Sequence, residues 1–211
     1  MYKRQDFNIP EPVPEIGLRV HMQPYQKPHP PIAVAGVSSR SDTLVYAGQK
    51  GWIPLSINLV PSATLNTHWE AIEEGAKKSG RIPDRGQWRI AREVHVAETT
   101  EQARQEVLEG TIGRDFRQYF IPLMAHMEAL SLFKTNDDIP DEAIDPEYLI
   151  NNVWIVGSPD DVTEQIRELY KQVGGFGVLL AMGHEWDPRE SGENSMKLLA
   201  NKVLPSLSDL N

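Results

Sequence analysis

Pro28-His29-Pro30-Pro31-Ile32-Ala33-Val34-Ala35-Gly36-Val37-Ser38-Ser39-Arg40-Ser41-Asp42-Thr43-Leu44 reads as a short buried strand, a hydroxyl-rich turn and the opening of a helix. Ser38, Ser39, Arg40, Ser41 and Thr43 stand where a helix start presents free N–H groups. Unpaired donors and the positive end of the helix dipole both favour a phosphate there. The competing reading is ordinary capping, because Ser and Asp before a helix are common N-cap residues. From these residues alone, capping is the preferred reading.

Working outward, the same strand-then-helix rhythm repeats. Asp42 to Lys50 predicts a helix closed by Gly51, Trp52 to Ile57 a second strand, and Ala63 to Ser79 a helix closed by Gly80. Trp88 to Ala97 predicts a third strand, with Thr99 or Thr100 capping a helix through Glu109. Thr111 to Leu132 reads as one apolar helix, and Lys134 to Tyr148 as an acidic, proline-bearing loop. Gly157-Ser158-Pro159-Asp160-Asp161 is a strong helix start, with serine as cap, proline first and two acids on the positive dipole end. Val178 to Met182 predicts a fourth strand, and Glu190 to Leu204 a last helix stopped by Pro205. Residues 1–30 are proline-rich and aperiodic, so they read as an irregular inserted segment, with Leu18 to Met22 a candidate short strand. The remainder, 31–211, is one α/β domain with a helical insertion over about 110–150.

Alternating short strands and helices predict parallel βαβ units. Four such units make half of an eight-unit barrel, which needs about 250 residues. Four parallel strands also leave two open edges, which predicts an incomplete barrel prone to self-association.

The bulk numbers exclude several classes. The chain has 211 residues, 40% hydrophobic and 24% charged, as expected of a globular domain. A net charge of −9 argues against a nucleic-acid binder. The absence of Cys excludes disulfides, thiolate catalysis and Cys-based metal sites. No apolar run reaches the roughly 20 residues that span a bilayer, and Met1-Tyr2-Lys3-Arg4-Gln5-Asp6 lacks a signal-peptide core. A cytoplasmic location is the expectation. No residue spacing fits a metal site, a Walker loop or a Gly-x-Ser-x-Gly elbow.

Pro24-Tyr25-Gln26-Lys27-Pro28-His29-Pro30-Pro31-Ile32-Ala33-Val34-Ala35-Gly36, followed by Ala47-Gly48-Gln49-Lys50-Gly51, resembles the fifth strand–helix unit of the bacterial luciferase-like flavin monooxygenases. Val94-His95-Val96-Ala97-Glu98-Thr99-Thr100-Glu101-Gln102-Ala103 resembles their seventh strand and helix, and Val156-Gly157-Ser158-Pro159-Asp160-Asp161-Val162 their late helix start. The similarity extends over roughly residues 8–207 and is closest to the limonene monooxygenase-like branch. It implies a TIM-barrel-like (β/α)8 fold of which about the last four strand–helix units are present. It further implies reduced FMN, or in some branches F420, at the C-terminal mouth. A separate flavin reductase, O2, an apolar organic substrate and a homodimeric full-length protein belong to the same implication. The segment that carries the catalytic histidine in the luciferases lies in the half not represented, so catalytic residues here are unknown. An F420-dependent oxidoreductase and a non-catalytic flavin-binding or inactive fragment are the alternatives.

The resemblance assigns the turn after the first strand to the FMN phosphate and reverses the preference between the two readings of Ser38, Ser39, Arg40, Ser41 and Thr43. Strand alternation sets Arg89, Ala91, Glu93, His95 and Ala97 toward the barrel lumen, with Trp88, Ile90, Val94 and Val96 toward the helices. Glu93 and His95 are weak catalytic candidates, the favoured reading being a structural pair that fills the lumen. His184 and Trp186, in Gly183-His184-Glu185-Trp186-Asp187, fall at the mouth, where active-site loops belong, and Asn58 at the corresponding mouth of the second strand. His21, His29, His68 and His126 read as structural or exposed. The apolar spacing of Phe116, Tyr119, Phe120, Leu123, Met124, Met127 and Leu130 predicts core packing, with a substrate lid as the alternative.

Overall fold

A computed structural model of the chain describes residues 11–18, 25–184 and 188–210. It divides into two compact units at the Ile32–Ala33 junction. In the first, Val13 and Leu18 form an antiparallel bridge around a 3-10 turn, Pro14–Ile16. Gly17 ends that turn at φ 67°, in the left-handed region. Of the candidate strand Leu18 to Met22, all but Leu18 lies outside the described residues.

The second unit is built on β1 (Ala33–Gly36), β2 (Ile53–Ser56), β3 (Arg89–Val96), β4 (Ile155–Gly157) and β5 (Val178–Met182), all paired in parallel. β1 pairs β2 from Ala33↔Ile53 to Gly36↔Ser56, and β2 pairs β3 at Leu55↔Arg89 and Ser56↔Ile90. Residues Arg89–Glu93 of β3 pair β5, and Val94–Val96 pair β4. Thus β1, β2, β3 and β5 follow one another across the sheet in chain order. That is the winding of a (β/α) barrel, whereas a doubly wound sheet reverses its order at a switch point. β4 corrects the sequence reading, which counts four strands. Three residues directly before a strong helix start give no periodic signal of their own.

The helices follow the capping chemistry. α1 (Asp42–Lys50) closes at Gly51 with φ 70°, and α2 (Ser62–Lys78) follows β2. Thr99 Oγ1 accepts the Gln102 N–H to start α3 (Thr100–Glu109). Ser158 Oγ accepts the Asp161 N–H to start α7 (Pro159–Gln172).

Two predicted helices differ, for one reason. The stretch from Thr111 is α4 (Thr111–Asp115), a π turn at Phe116–Phe120 and α5 (Ile121–His126). The final helix is α8 (Arg189–Leu198), a π turn at Leu199–Val203 and α9 (Leu204–Ser206), so it runs through Pro205. Each π turn precedes a proline that lacks an N–H and whose ring would strike the carbonyl four residues back. Widening the ladder lets Ile121 N–H reach Phe116 O and Leu204 N–H reach Leu199 O, five residues back. Buried Phe116 and Val203 hold both helices in place across the defect. The predicted acidic loop also contains a further helix, α6 (Pro146–Asn152), capped by Asp145.

The helix-facing side of β3 packs Trp88, Ile90, Val94 and Val96 against Leu65, Trp69 and Ile72 of α2, Val162, Ile166 and Leu169 of α7, and Leu198 of α8. A second cluster joins Ala103 and Val107 of α3 to Phe116, Met124, Phe133, Leu149 and Trp154, so the segment after α3 has a core of its own. β1 and β5 each have one strand neighbour among the described residues. Ala33, Ala35, Ala181 and Met182 on these edges are exposed. No helix among the described residues is long and apolar enough to cross a membrane.

Beyond Met182, the β5 side of β3 is taken over by α8, where Ser195 Oγ accepts the Val96 N–H at 2.9 Å. Ser195 is buried. Ser195→Ala therefore strands a backbone donor and should cost about 1–3 kcal/mol in urea unfolding. An unchanged midpoint would show that water or a shifted backbone serves Val96 instead.

Candidate functional site

Two groups of side chains sit at the C-terminal ends of the strands. The first is the turn between β1 and α1. Gly36 ends the strand because a Cβ there would lie 2.3 Å from the buried Leu44 side chain. Arg40 follows with φ 49°, a left-handed conformation that reverses the chain. Ser41 occupies the N-cap position but makes no side-chain cap. Its hydroxyl meets Thr43 Oγ1 at 2.8 Å, and Thr43 Oγ1 donates to Ala35 O at 2.7 Å. The first-turn N–H groups of Asp42 and Thr43 consequently have no partner among the described residues. Capping, the competing reading of these residues, is not what the serine does.

The turn is pinned from α2. Thr67 Oγ1 accepts from Ser39 Oγ at 3.2 Å and from Arg40 N at 3.0 Å. Below it runs a buried chain of bonds. Trp88 Nε1 donates to Ser56 Oγ at 2.9 Å, Ser56 Oγ lies 2.9 Å from His68 Nδ1, and His68 Nε2 lies 3.0 Å from Ser38 O. These partners assign the neutral Nε2–H tautomer to His68, with Ser56 donating to Nδ1. Burial holds the His68 pKa below its ordinary value, opposed by the Ser38 carbonyl and assisted by the Arg92 charge. The Arg40 guanidinium does not turn toward the helix start. It reaches Glu74 on α2 at 3.7 Å, across exposed surface.

The second group joins three strand ends to α4. Asn58 Nδ2, just past β2, donates to Glu93 Oε1 at 2.5 Å. His184, just past β5, places Nε2 3.6 Å from the same oxygen and Nδ1 3.0 Å from Asp115 Oδ2. The ring centroid of Phe116 lies 6.1 Å from that of His184. Glu93 is fully buried and its Oε2 has no hydrogen-bond partner among the described residues. The nearby Glu93 carboxylate, then the hydrogen bond to Asp115, holds the His184 pKa above its ordinary value against the effect of burial. Held between two carboxylates, the imidazole can keep a proton that the buried Glu93 oxygen needs as its counter-charge.

His95 goes elsewhere. Its Nε2 lies 2.7 Å from Glu106 Oε2 on α3, an oxygen that also accepts from Ser191 Oγ of α8 at 2.6 Å. Burial alone would raise the Glu106 pKa, but bonds from Ser191, His95 and Gln102 outweigh it and hold the carboxyl low. His95 thus ties β3 to two helices, as the structural reading expects, though its partner is Glu106 and not Glu93. A cavity of about 310 Å³ lies beside it, lined by Val94, His95, Ile112, Met182, His184 and Met196 among others. Trp186 lies outside the described residues. Thr67, His68 and Asp115 are contributions that sequence reading misses, because each reaches its partner across at least 27 positions. His29 and His126 are exposed and His68 is a buried structural support of the turn, each within the structural-or-exposed expectation, while His21 lies outside the described residues.

The model of the luciferase-like monooxygenase family matches residues 10–175. The chain is 35% identical over 179 residues to 3,6-diketocamphane 1,6-monooxygenase of Pseudomonas putida, covering 84% of this chain and 47% of that protein. It is 32% identical over 190 residues to limonene 1,2-monooxygenase of Rhodococcus erythropolis, covering 88% and 46%. The structure of the oxygenating constituent of 3,6-diketocamphane monooxygenase, solved in complex with FMN, superposes with a TM-score of 0.79 at 32% identity. That superposition covers 97% of this chain and 56% of the other. The chain spans about half the length of the curated relatives it matches. Sequential parallel winding, the hydroxyl-rich turn after β1 and these matches agree, and the chain belongs to the luciferase-like monooxygenase family.

Proposed function

We propose that this chain supplies the cofactor-phosphate turn and one wall of the mouth of an FMN-dependent monooxygenase acting on an apolar organic substrate. The observation that carries the reading is the start of α1. Two N–H groups without a partner among the described residues open α1 beside the hydroxyl-rich turn of Ser38, Ser39 and Thr43, at the C-terminal end of a strand. Such a cluster suits a phosphate dianion through hydrogen bonds and the helix dipole. FMN is preferred to F420 because the relative that superposes at 32% identity was solved with FMN. Reduced FMN, when bound, supplies the oxygen-transfer chemistry, with a separate flavin reductase as the source of reducing equivalents and O2 as oxidant.

The chain's own residues then have distinct tasks. Thr67 and His68 hold the turn in register with β2, so that the donors are fixed before ligand arrives. Asn58 fixes Glu93, and Asp115 and His184 maintain a proton beside it at the mouth. Val94, Ile112, Met182 and Met196 offer apolar cover that excludes water from a substrate. A cytoplasmic location and a homodimeric complete protein are part of the same proposal.

Its test is FMN titration of the complete protein with Ser39 and Thr43 both changed to alanine. Each hydroxyl bound to a charged group contributes about 1.5–3 kcal/mol, so the pair should weaken binding by roughly a hundredfold or more. Unchanged affinity would remove the turn from the cofactor site.

A further inference from the structure

Ala35 pairs with Leu55, Leu55 with Arg89 and Arg89 with Val178, which makes one row across the sheet from β1 to β5. Trp88 and Ile90 turn to the helices, so this row and the residues two positions along each strand face the inner side. The apolar members of that side include Ala33, Ala35, Ile53, Leu55, Leu180 and Met182. Ala33, Ala35 and Met182 are exposed, and the other three are half-buried. In a closed barrel, side chains from the far side of the lumen fill against such a face. The two strands that border it, β1 and β5, each lack a second strand neighbour among the described residues. Their outer N–H and C=O groups form a template for another strand.

The register says which strand fits. In a (β/α)8 barrel, one circuit through paired residues returns displaced by about eight positions, the shear of the barrel. Two identical halves divide that displacement equally, about four positions each. Val178 starts level with Ala35 in the row, so β5 meets β1 of a second copy shifted by that amount. Shifted toward the N-terminus, Leu180 falls opposite Ala33 and Met182 opposite Ala35. Shifted the other way, β5 would face the turn and α1, which have no strand to offer. The allowed shift sets inner-facing residues beside inner-facing residues and brings exposed Met182 against exposed Ala35.

We propose that two copies of this chain close into one barrel about a two-fold axis along the strands, with β5 of each copy paired in parallel to β1 of the other. A two-fold axis in that direction preserves strand polarity at both junctions. The contact is isologous, Met182 on Ala35 of the second copy and Ala35 on its Met182, so it closes and leaves no edge open. Equal halves are what the divided shear requires, and a second copy meets that condition by identity. The proposal does not depend on the flavin reading above.

The test uses the 211-residue chain itself. Sedimentation velocity should show one species of twice the chain mass. The chain contains no Cys, so Ala35→Cys with Met182→Cys supplies the only thiols for a bis-maleimide reagent. On a denaturing gel, the treated double variant should run as a dimer with nothing larger. Each single variant treated alone should run as a monomer, because the two-fold sets its two thiols at opposite junctions. A mixture of the two single variants should give the dimer again, which excludes a bridge within one chain. If the double variant does not fold, Ala33→Cys with Leu180→Cys reads the same junction. A monomer in sedimentation, as expected if an unlike half-barrel takes these edges, would overturn the proposal. A ladder of trimers and longer species, a bridge confined to one chain, or a dimer from either single variant alone would each overturn it too.

Discussion

Gly75→Ala is expected to lower the stability of this protein by about 3 kcal/mol, roughly 6–12 °C in melting temperature for a chain of this size. The sign is informative, because alanine in a helix interior is normally favoured over glycine by about 1 kcal/mol. At Gly75 on α2, a Cβ would lie 1.8 Å from Val45 O and 2.9 Å from Gln49 N, both backbone atoms of α1. On the facing helix, a Cβ at Gly48 would lie 2.2 Å from Ile72 O. The two helices therefore meet backbone to backbone, and no side-chain rotation can make room. α1 must move away from α2, and it carries the turn with it. That movement breaks the bonds from Thr67 and His68 to Arg40 and Ser38. Loss of FMN binding in the complete protein should thus accompany the loss of stability. Gly183→Ala is the control for stability, since nothing lies within 4 Å of a Cβ there. A neutral or stabilising Gly75→Ala would mean that α1 and α2 are not in the contact described.

The rhythm of strands and helices was legible because punctuation and pattern agree. Gly51, Gly80 and Gly174 adopt left-handed backbone where the helices end, and Thr99 and Ser158 cap where they begin. The failures have local causes. Pro122 was read through as ordinary helix and Pro205 as a stop; at both, the burial of Phe116 and Val203 favours a π turn over either an unbroken ladder or an ending. β4 is three residues long and exists because β3 extends past β2, whose pairing ends at Ile90, and offers Val94–Val96 to a partner. At the site, hydroxyl density marked the turn after β1, yet nothing in that segment names Thr67 or His68. Alternation likewise set Glu93 and His95 on one face without deciding their partners. Glu106 on α3 captures His95 in the folded chain, and His184 stands beside Glu93.

The support beneath the turn makes acid the condition most damaging to it. Ser38 O needs a hydrogen from His68 Nε2, and Ser56 must donate to Nδ1 while accepting from Trp88. A second proton on His68 forces the Ser56 hydroxyl to turn and leaves its hydrogen without an acceptor in a fully buried position. Burial therefore keeps the folded-state pKa of His68 below that of the unfolded chain, about 6.5. Above that value both states are neutral and nothing is lost. As pH falls below it, the unfolded chain binds a proton that the folded chain refuses, so stability declines until the lower folded pKa is passed. Each unit between the two values costs about 1.4 kcal/mol. The carboxyls of Glu106 and Asp161, held low in the folded state, lose their contribution only at still lower pH. His184 works in the opposite direction, because its raised pKa gives stability that is full below about pH 6.5 and lost as pH rises through the folded value. Urea unfolding should accordingly show a maximum near pH 6.5, with His68 setting the acid limb and His184 the alkaline one. His68→Gln should lower stability at every pH yet flatten the decline between about pH 6.5 and 5, and His184→Gln should flatten the decline above 6.5. An acid limb of undiminished slope in His68→Gln would show that the buried histidine does not couple the turn to pH.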